Sequence, residues 1–163
     1  PIAYNEFVFE FLTKHDNTYL TELDQLFMQK VIRPQMRPKG FDAIKKHQDL
    51  GHAIVGITAT SDFITAPIFR EFGITEIIAT NAEVLDGKYT GKVTGLPCYQ
   101  KGKLARLDQW LQGRAVDESW AYSDSINDRF LLEYATHAIA VNPDDRLEKL
   151  AQDQDWDIQD WSI

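Results

Sequence analysis

The chain has 163 residues, 44% of them hydrophobic and 12% aromatic, which is the composition of one globular domain and argues against intrinsic disorder. Its formal net charge of -8 argues against a protein that coats nucleic acid or an anionic membrane, because such binding requires a basic surface. The single cysteine, Cys98, excludes an internal disulfide, and apolar runs of strand length are too short to span a bilayer, so we expect a cytoplasmic protein.

Two helices are predicted at the start of the chain, over residues 4–31. YNEFVFEFL and YLTELDQLFMQKV both carry apolar residues at helical spacing, and TKHDNT is the loop between them. Prolines at positions 34 and 38 end this segment, because proline hinders helix continuation. Pro1 lies within the first helical pattern, so we expect the chain to be part of a longer protein.

Helices and short apolar strands alternate over the rest of the chain. The strands are predicted in HAIVGIT, TEIIAT, SWAYSDS and HAIAVNP, and the helices in FDAIKKHQDLG, residues 63–72, KGKLARLDQWLQG, DRFLLEY and DDRLEKLAQDQ. This alternation with short connections predicts an α/β fold with a doubly wound parallel sheet covered by helices on both faces. Asp86-Gly87, after the second strand, predicts the turn of a small β-hairpin flap.

Small polar residues follow the first strand, at the edge where doubly wound sheets bind ligands. The strand HAIVGIT is predicted to end at Thr58, and Ala59, Thr60 and Ser61 follow it before the next helix begins. Hydroxyl groups and backbone N–H groups at a helix N-terminus bind anions well. This end of the strand therefore suits a phosphate group.

A second polar group follows the strand in WAYSDS. Asp124 ends this strand, and Asn127 and Asp128 lie in the turn after it. Mg²⁺ prefers such oxygen ligands and usually takes one or two protein carboxylates. Lys103, near the start of the helix after the flap, would add a positive charge at the same edge. Together these residues predict a site for a phosphate group and its counter-ion.

Each of these residues is also common in ordinary structural roles. Asp124 and Asp128 are typical turn or helix-capping residues, Thr58 is a typical strand residue, and Lys103 is a typical exposed helix residue. The combination favours a site, because the alternation of elements independently brings all of them to one edge of the sheet. The four histidines have no metal-ligand spacing, and Cys98 has no evident base partner. G-x-G-x-x-G and Walker motifs are absent, so no dinucleotide or P-loop site is predicted.

Three segments resemble motifs of the haloacid dehalogenase superfamily. VGITATSDF resembles its motif two, CYQKGKLARLDQWL its motif three, and YSDSINDRFLLE with AVNPDDRLEKLA its motif four. The resemblance is closest to the phosphoserine-phosphatase-like branch, subfamily IB, which includes proteins of a histidinol-phosphatase type. It extends over nearly the whole chain, and it implies a Rossmann-like core over residues 34–163 that is preceded by part of a helical cap over residues 1–33.

The resemblance also implies an activity and the residues that perform it. The activity would be Mg²⁺-dependent hydrolysis of a small phosphorylated metabolite, such as histidinol phosphate or phosphoserine, through an aspartyl-phosphate intermediate. The catalytic residues would be Thr58, Lys103, Asp124 and Asp128, and the phosphate would be bound by Thr58, Ala59 and Lys103. The metal site would consist of Asp124 and Asp128, supported by Asn127 and Ser125.

The family's D-x-D-x-T motif, whose first aspartate is the nucleophile and whose second is the acid and base, is absent from the sequence. Asp16, Asn17 and Thr18 imitate its second half, but the nucleophile position would then be Lys14, a cation that cannot attack phosphorus as a carboxylate does. The missing strand would be the central one of the sheet, so its loss would expose two unpaired edges. We therefore expect the chain itself to be inactive and to be the carboxyl-terminal part of a longer phosphatase.

Two alternative functions stay open. One is a non-catalytic phosphate-binding or interaction module derived from such a phosphatase, which would fold alone and bind metal weakly or not at all. The second is a receiver-like sheet with Asp124 as the phosphate acceptor, although the acidic cluster that such a sheet carries after its first strand is absent. Arg129 and Phe130 also depart from motif four, where relatives often have an apolar residue and proline, so we expect a differently shaped turn.

Overall fold

The computed structural model describes residues 2–163, and Pro1 lies outside the described residues. The chain divides into two compact units, Pro1–Tyr99 and Gln100–Ile163, called the first and the second unit below. Each unit contains a three-stranded sheet with helices packed on it. The predicted division into a cap of residues 1–33 and a core of residues 34–163 stays a prediction. Among residues 2–163, no helix has both the length and the apolar character needed to cross a membrane.

The described part of the first unit begins with helices and ends with a β-hairpin. Its helices are α1 (Ile2–Thr13), α2 (Asn17–Phe27), α3 (Pro38–Asp49) and α4 (Asp62–Glu71), and its strands are β1 (Val55–Ser61), β2 (Glu76–Leu85) and β3 (Lys88–Thr94). Between α2 and α3 lie a π-helical turn, Met28–Ile32, and a 3-10 turn, Arg33–Gln35.

The two helices predicted at the start of the chain are confirmed. Asp16 caps α2, since its Oδ1 accepts a hydrogen bond from the Tyr19 backbone N–H at 2.9 Å. The two helices bury Phe9, Leu12 and Leu20 against Ala82 of β2. HDNT is therefore the turn between two packed helices, and it does not follow a strand.

The sheet of the first unit has the order β1-β2-β3. β1 runs parallel to β2, from the pair Val55 and Glu76 onward, and β3 returns antiparallel to β2. Asp86 and Gly87 form the hairpin turn with φ angles of 50° and 75°. Positive φ at both central residues is what a type I′ turn requires, and this is why Asp-Gly is favoured there. The predicted flap is confirmed.

The bounds of β1 differ from the prediction. HAIVGIT predicts a strand over residues 52–58, whereas β1 is Val55–Ser61. His52 is outside the strand because it completes the end of α3, where its N–H donates to the His47 carbonyl at 3.0 Å. Gly51, between them, has a φ of 73°, so this is a Schellman helix end. At its other end, β1 continues beyond Thr58 to Ser61, whose side chain caps α4.

The second unit alternates helices with parallel strands. Its helices are α5 (Lys101–Leu111), α6 (Arg129–Tyr134) and α7 (Asp145–Asp153), and its strands are β4 (Trp120–Ser123), β5 (His137–Val141) and β6 (Asp157–Gln159). A 3-10 turn, Ile126–Asp128, precedes α6. The strands pair in parallel in the order β4-β5-β6. The core is formed by Leu132, Ala140, Leu147 and Ala151. The predicted α/β fold of parallel strands and alternating helices is thus confirmed.

The short strand β6 is absent from the sequence prediction. Its three residues, Asp157–Gln159, carry no alternating or apolar pattern that would indicate a strand. It forms because Asn142, directly after β5, fixes the tail from two sides. The Asn142 backbone N–H donates to the Gln159 carbonyl at 2.9 Å, and its side-chain oxygen accepts from the Trp161 N–H at 2.9 Å.

The strands β1 and β4 each keep an unpaired edge. Within residues 2–163, β1 pairs with β2 alone, and β4 pairs with β5 alone. Parallel strands are normally covered and paired on both sides, because an open row of backbone N–H and C=O groups invites another strand. β1 and β4 therefore each present an edge at which a further strand is able to pair.

Because α4 lies close to β1 at Gly56, a larger residue at this position should disturb the packing. A Cβ atom at Gly56 would lie 2.5 Å from a ring carbon of Phe69, so Gly56→Ala should lower the free energy of unfolding by about 1–3 kcal/mol. Urea unfolding measures this loss. Phe69→Leu removes the ring, so Gly56→Ala should cost clearly less in a Phe69→Leu background, and an equal loss in both backgrounds would contradict the packing argument.

Candidate functional site

A buried ion pair lies at the carboxyl end of β4 in the second unit. Lys103, in the first turn of α5, is only 6% exposed, and its ammonium contacts Oδ1 of Asp128 in the 3-10 turn. Lysine is rarely buried unless it is paired, because removing an isolated charge from water is unfavourable. The pairing with Asp128 therefore explains how Lys103 stays inside the unit as a cation.

Both oxygens of the Asp128 carboxylate are engaged. Oδ1 contacts Lys103, and Oδ2 accepts a hydrogen bond from the Ser123 hydroxyl at 2.9 Å. Ser123 is the last residue of β4, so this bond fixes the turn to the strand end. The Lys103 ammonium has three N–H donors, and Asp128 takes one of them. The arrangement holds a positive charge in a defined place with donors left for an anion.

The turn that carries Asp128 is held by its own side chains. The Ser125 hydroxyl accepts a hydrogen bond from the Asn127 N–H at 3.3 Å and thereby caps the 3-10 turn. The Ser125 N–H in turn donates to the Ser123 hydroxyl at 3.2 Å. Ser125 and Asn127, which the sequence predicts as supporting residues, therefore belong to one hydrogen-bonded turn with Asp128.

Asp144 also fixes this turn, although it is not among the predicted site residues. Its Oδ2 accepts from the Ile126 N–H at 2.9 Å, and its Oδ1 accepts from the Leu147 N–H at 2.9 Å, as the N-cap of α7. These hydrogen bonds, with the one to Ile126 first, hold the pKa of Asp144 below its ordinary value. An aspartate directly before a helix can be identified from the sequence as a cap. The hydrogen bond from the Ile126 N–H, 18 residues away, has no such local pattern in the sequence.

Asp124 directly follows β4, and its carboxylate contacts none of the groups that hold the turn. Its side chain is exposed, and its backbone carbonyl accepts from the Asp144 N–H at 2.8 Å. In the described residues, no hydrogen bond or ion pair engages the Asp124 carboxylate. Its chemistry suits Mg²⁺, which prefers hard oxygen ligands, takes one or two carboxylates and keeps several waters. Since Asp128 is engaged by Lys103 and Ser123, the metal roles of both aspartates stay a prediction.

The residues predicted to bind phosphate are divided between the two units. Thr58 and Ala59 belong to β1 of the first unit, whereas Lys103 belongs to the second. Thr58 follows the last regular pair of β1 with β2, at Ile57, and its hydroxyl accepts from the Thr60 N–H at 3.1 Å. The sequence predicts Thr58 as the last residue of the strand, and this is wrong, because β1 continues to Ser61. Thr58 lies where the regular pairing of β1 with β2 stops.

A bulge opens the backbone of β1 beside Thr58. The register shifts between Ile57 and Ser61, and the Ala59 carbonyl accepts a hydrogen bond from the Thr80 hydroxyl at 2.9 Å. Bulges are frequent next to binding sites, because they redirect backbone groups away from strand pairing. The structure therefore keeps Thr58 and Ala59 together in an irregular strand end.

The departure from motif four at Arg129 and Phe130 creates a cationic surface. The Phe130 ring lies 4.6 Å from the Arg129 guanidinium carbon and 5.6 Å from the Lys101 ammonium. Such cation–π contacts hold both positive charges near α6. Lys101 and Arg129 are therefore two cations that share one aromatic ring in a chain of net charge -8.

The cysteine and two of the histidines have structural roles. Cys98 is buried, and its thiol donates to the Ile78 carbonyl at 3.5 Å. His47 and His52 approach each other with Nδ1 atoms 2.8 Å apart, and burial lowers the pKa of His47. No group of three or more His, Cys, Asp or Glu side chains in the described residues is arranged to hold a metal ion.

The comparisons with known proteins agree with these features. The sequence profile of the haloacid dehalogenase-like hydrolases matches residues 2–133. A histidinol-phosphatase of Neisseria meningitidis serogroup C (strain 8013) is 36% identical over 162 residues, which are 96% of this chain and 73% of that protein. A phosphoserine phosphatase of Mycobacterium tuberculosis (strain ATCC 25618 / H37Rv) is 32% identical over 146 residues, which are 88% of this chain and 47% of that protein.

A solved structure is also similar over nearly the whole chain. The crystal structure of a protein of unknown function from Bordetella pertussis Tohama I has 39% sequence identity and a TM-score of 0.92, and the match covers 97% of this chain and 73% of that one. The chain therefore spans from 47% to 73% of the length of these relatives.

The capping role of Asp144 predicts a pH-dependent contribution to stability. Because the folded state lowers its pKa, the contribution is fully present above its ordinary value of 3.8 and is lost as the pH falls toward the folded pKa. Asp144→Ala should lower the free energy of unfolding by about 1 kcal/mol at pH 7, and the difference from the parent should shrink below about pH 4.

Urea unfolding between pH 3 and pH 7 measures this difference. Asp145→Ala is the matched control, because Asp145 lies next in sequence, in the first turn of α7, and is exposed. Its effect should be smaller. Equal losses for the two variants, or a loss for Asp144→Ala that does not change with pH, would contradict the assigned role.

Proposed function

The chain belongs to the haloacid dehalogenase-like hydrolase family, and from this we propose that the protein is a Mg²⁺-dependent hydrolase of small phosphate monoesters. The observation that carries the proposal is the buried Lys103 ammonium, which Asp128 holds at the carboxyl end of a parallel strand. The names of relatives, a histidinol-phosphatase and a phosphoserine phosphatase, support small phosphorylated metabolites as the substrate class.

Lys103 would neutralise the phosphoryl group during transfer. Phosphoryl transfer depends chiefly on positioning and on stabilisation of charge on the phosphoryl oxygens. A cation that is already buried and oriented needs no reorganisation when the charge develops. Asp128 would hold Lys103 in place, and Ser123 would hold Asp128, so these two residues act through Lys103.

Thr58 and Ala59 would bind the phosphoryl oxygens from the first unit. The hydroxyl of Thr58 and the backbone N–H groups of the bulge at the end of β1 are hydrogen-bond donors of the type that cradles phosphate. Thr58 suits this role because it lies where the regular pairing of β1 with β2 stops.

Asp124 is the residue that would hold Mg²⁺. Its carboxylate is unengaged in the described residues, and Asn127 and Ser125 in the following turn add neutral oxygens to the donor set. When bound, Mg²⁺ would offset the negative charge of the phosphate and orient it. One carboxylate is at the lower limit for a protein Mg²⁺ site, so we propose that further carboxylates come from outside residues 2–163.

The nucleophile is also proposed to lie outside the described residues. An apolar strand ending in D-x-D-x-T would supply an aspartate whose oxygen bonds to phosphorus while the ester P–O bond breaks, and the second aspartate would protonate the leaving alcohol. Water would then release phosphate from the aspartyl-phosphate. The unpaired edges of β1 and β4 support this proposal, since each is able to pair with such a strand. The 163-residue chain alone would be inactive.

A non-catalytic module is the second candidate, and the absent D-x-D-x-T motif favours it. Such a module would keep the phosphate-binding residues and use them for binding or for a protein interaction. It requires no further strand and predicts that the chain is folded and soluble by itself. Phosphate release by a longer form of the protein decides between the two candidates.

The decisive experiment is a phosphate-release assay on the protein translated from the full coding sequence, with small phosphate monoesters and Mg²⁺. We expect Mg²⁺-dependent turnover, and we expect Lys103→Met and Asp124→Asn each to lower kcat/KM by about a hundredfold or more, because each removes a charge that stabilises the transition state. The 163-residue chain should show no turnover.

Asp153→Asn is the matched control, because it removes the same charge from an exposed position in the last turn of α7. Its turnover should equal that of the parent. Absence of turnover in the longer protein would reject the phosphatase, and full turnover by Asp124→Asn or Lys103→Met would reject the assigned residues.

A further inference from the structure

A buried hydroxyl group lies beside the bulge of β1. Thr80 of β2 is only 1% exposed, and the two residues before it in the strand, Ile78 and Ala79, are apolar and also buried. Valine would fill almost the same space without a polar atom, and a buried hydroxyl is unfavourable unless it is hydrogen-bonded. The hydroxyl of Thr80 is therefore expected to have defined partners.

The hydroxyl of Thr80 joins two segments of the first unit. It donates to the Ala59 carbonyl in the bulge at 2.9 Å and accepts from the Cys98 N–H at 3.3 Å. A hydroxyl has one proton to donate, a carbonyl can only accept and an N–H can only donate, so these two bonds fix the direction of the O–H bond. The Cys98 thiol donates in turn to the Ile78 carbonyl at 3.5 Å, which ties the same segment to β2 a second time.

The bond to Ala59 sets the orientation of one peptide group. The Ala59 carbonyl and the Thr60 N–H belong to the same trans peptide group, so they point in opposite directions. The carbonyl is turned toward the Thr80 hydroxyl, and the Thr60 N–H on the other side donates to the Thr58 hydroxyl oxygen at 3.1 Å. The two threonine hydroxyls, Thr80 and Thr58, are therefore linked through one rigid peptide group.

This link leaves the proton of the Thr58 hydroxyl available. The oxygen accepts from the Thr60 N–H, and within residues 2–163 the Thr58 hydroxyl donates to no other group. Phosphate oxygens accept hydrogen bonds, so a bound phosphate would receive this proton. A side chain that is already held in one rotamer loses little conformational freedom on binding. The link therefore favours a donor that is oriented before the phosphate binds.

We propose that Thr80 is a positioning residue for phosphate binding, which acts through the peptide group of the bulge and holds the Thr58 hydroxyl in one rotamer. Thr80 is buried and would not itself touch the phosphate. This assignment rests on the proposed function, in which Thr58 donates to the phosphoryl oxygens. A hydroxyl with a purely structural role would stabilise the bulge without acting through Thr58.

The rotamer of Thr58 tests the link in the protein translated from the full coding sequence. Three-bond NMR couplings from the Thr58 methyl carbon to the backbone nitrogen and carbonyl carbon report its χ1 populations. We expect one dominant rotamer in the parent and averaged couplings in Thr80→Val, which keeps the side-chain shape but removes the hydroxyl. Thr80→Ser keeps the hydroxyl, so it should retain the couplings of the parent.

Thr90→Val is the matched control, because the Thr90 hydroxyl has the same pattern of hydrogen bonds in the same sheet and no bond to the bulge. It donates to the Glu83 carboxylate at 2.6 Å and accepts from the Lys92 N–H at 3.3 Å. This variant should leave the Thr58 couplings unchanged. If urea unfolding shows that Thr80→Val does not fold, Thr80→Cys replaces it and should give the same loss in smaller amount, since a thiol is a weak donor.

Phosphate release by the same variants measures the consequence for the reaction. Thr80→Val should lower kcat/KM by about tenfold and weaken the binding of inorganic phosphate by a similar factor, because the hydrogen bond to the charged group is then poorly oriented. In a Thr58→Ala background, Thr80→Val should lower kcat/KM by less than about twofold, because the group through which Thr80 acts is absent. Thr80→Ser and Thr90→Val should behave like the parent.

Three results overturn the proposal: unchanged Thr58 couplings in Thr80→Val, an equal loss in Thr90→Val, or an equal loss of kcat/KM on Thr80→Val with and without the Thr58 hydroxyl. Turnover with any of these results would reject the role of Thr80 and leave the proposed function in place. Absence of turnover in the longer protein would reject the proposed function, and the Thr58 couplings and the dissociation constant of inorganic phosphate would still decide whether Thr80 positions Thr58.

Discussion

The unpaired edges of β1 and β4 are the constraint on which the rest of the structure depends. In residues 2–163 each of these parallel strands has one hydrogen-bonded neighbour. The residues to which we assign the substrate phosphate lie where the regular pairing of β1 stops, and Asp124, to which we assign the metal, directly follows β4. A strand that satisfied either edge would bring its own carboxyl end beside Thr58 or Asp124. The need for backbone pairing and the need for a nucleophile are thus met by one segment in our proposal.

The second unit keeps the charged part of its site without that segment. Asp128 holds Lys103, Ser123 holds Asp128, and Asp144 ties the turn to the start of α7. Each contact is made within residues 100–163, so the geometry around Lys103 depends on local folding of this unit. Removing one partner of a buried ion pair is strongly unfavourable, because the other charge is then left uncompensated, so Lys103 and Asp128 each require the other. The site is therefore partly preorganised before any further strand pairs.

The features of the fold that the sequence predicts correctly are those set by interactions between residues close together in the chain. Helical spacing identifies α1 and α2, and Asp86-Gly87 identifies the hairpin because few other pairs accept positive φ at both positions. The features that the sequence analysis misses have two causes. The helix end at Gly51 is a local contact that keeps His52 out of β1, although the apolar pattern of HAIVGIT extends the predicted strand to it. β6, which Asn142 fixes, and the hydrogen bond from the Ile126 N–H to Asp144 depend on residues far apart in the sequence, so they have no local pattern.

Amide hydrogen exchange at β1 and β4 tests the central claim most directly. In the 163-residue chain, the β1 and β4 amides that do not bond to β2 or β5 should exchange rapidly. In the protein translated from the full coding sequence, we predict that the same amides are protected by about a hundredfold or more, because a further strand accepts their hydrogen bonds. Equal exchange rates in the two proteins would contradict the claim that such a strand completes the sheet and the site.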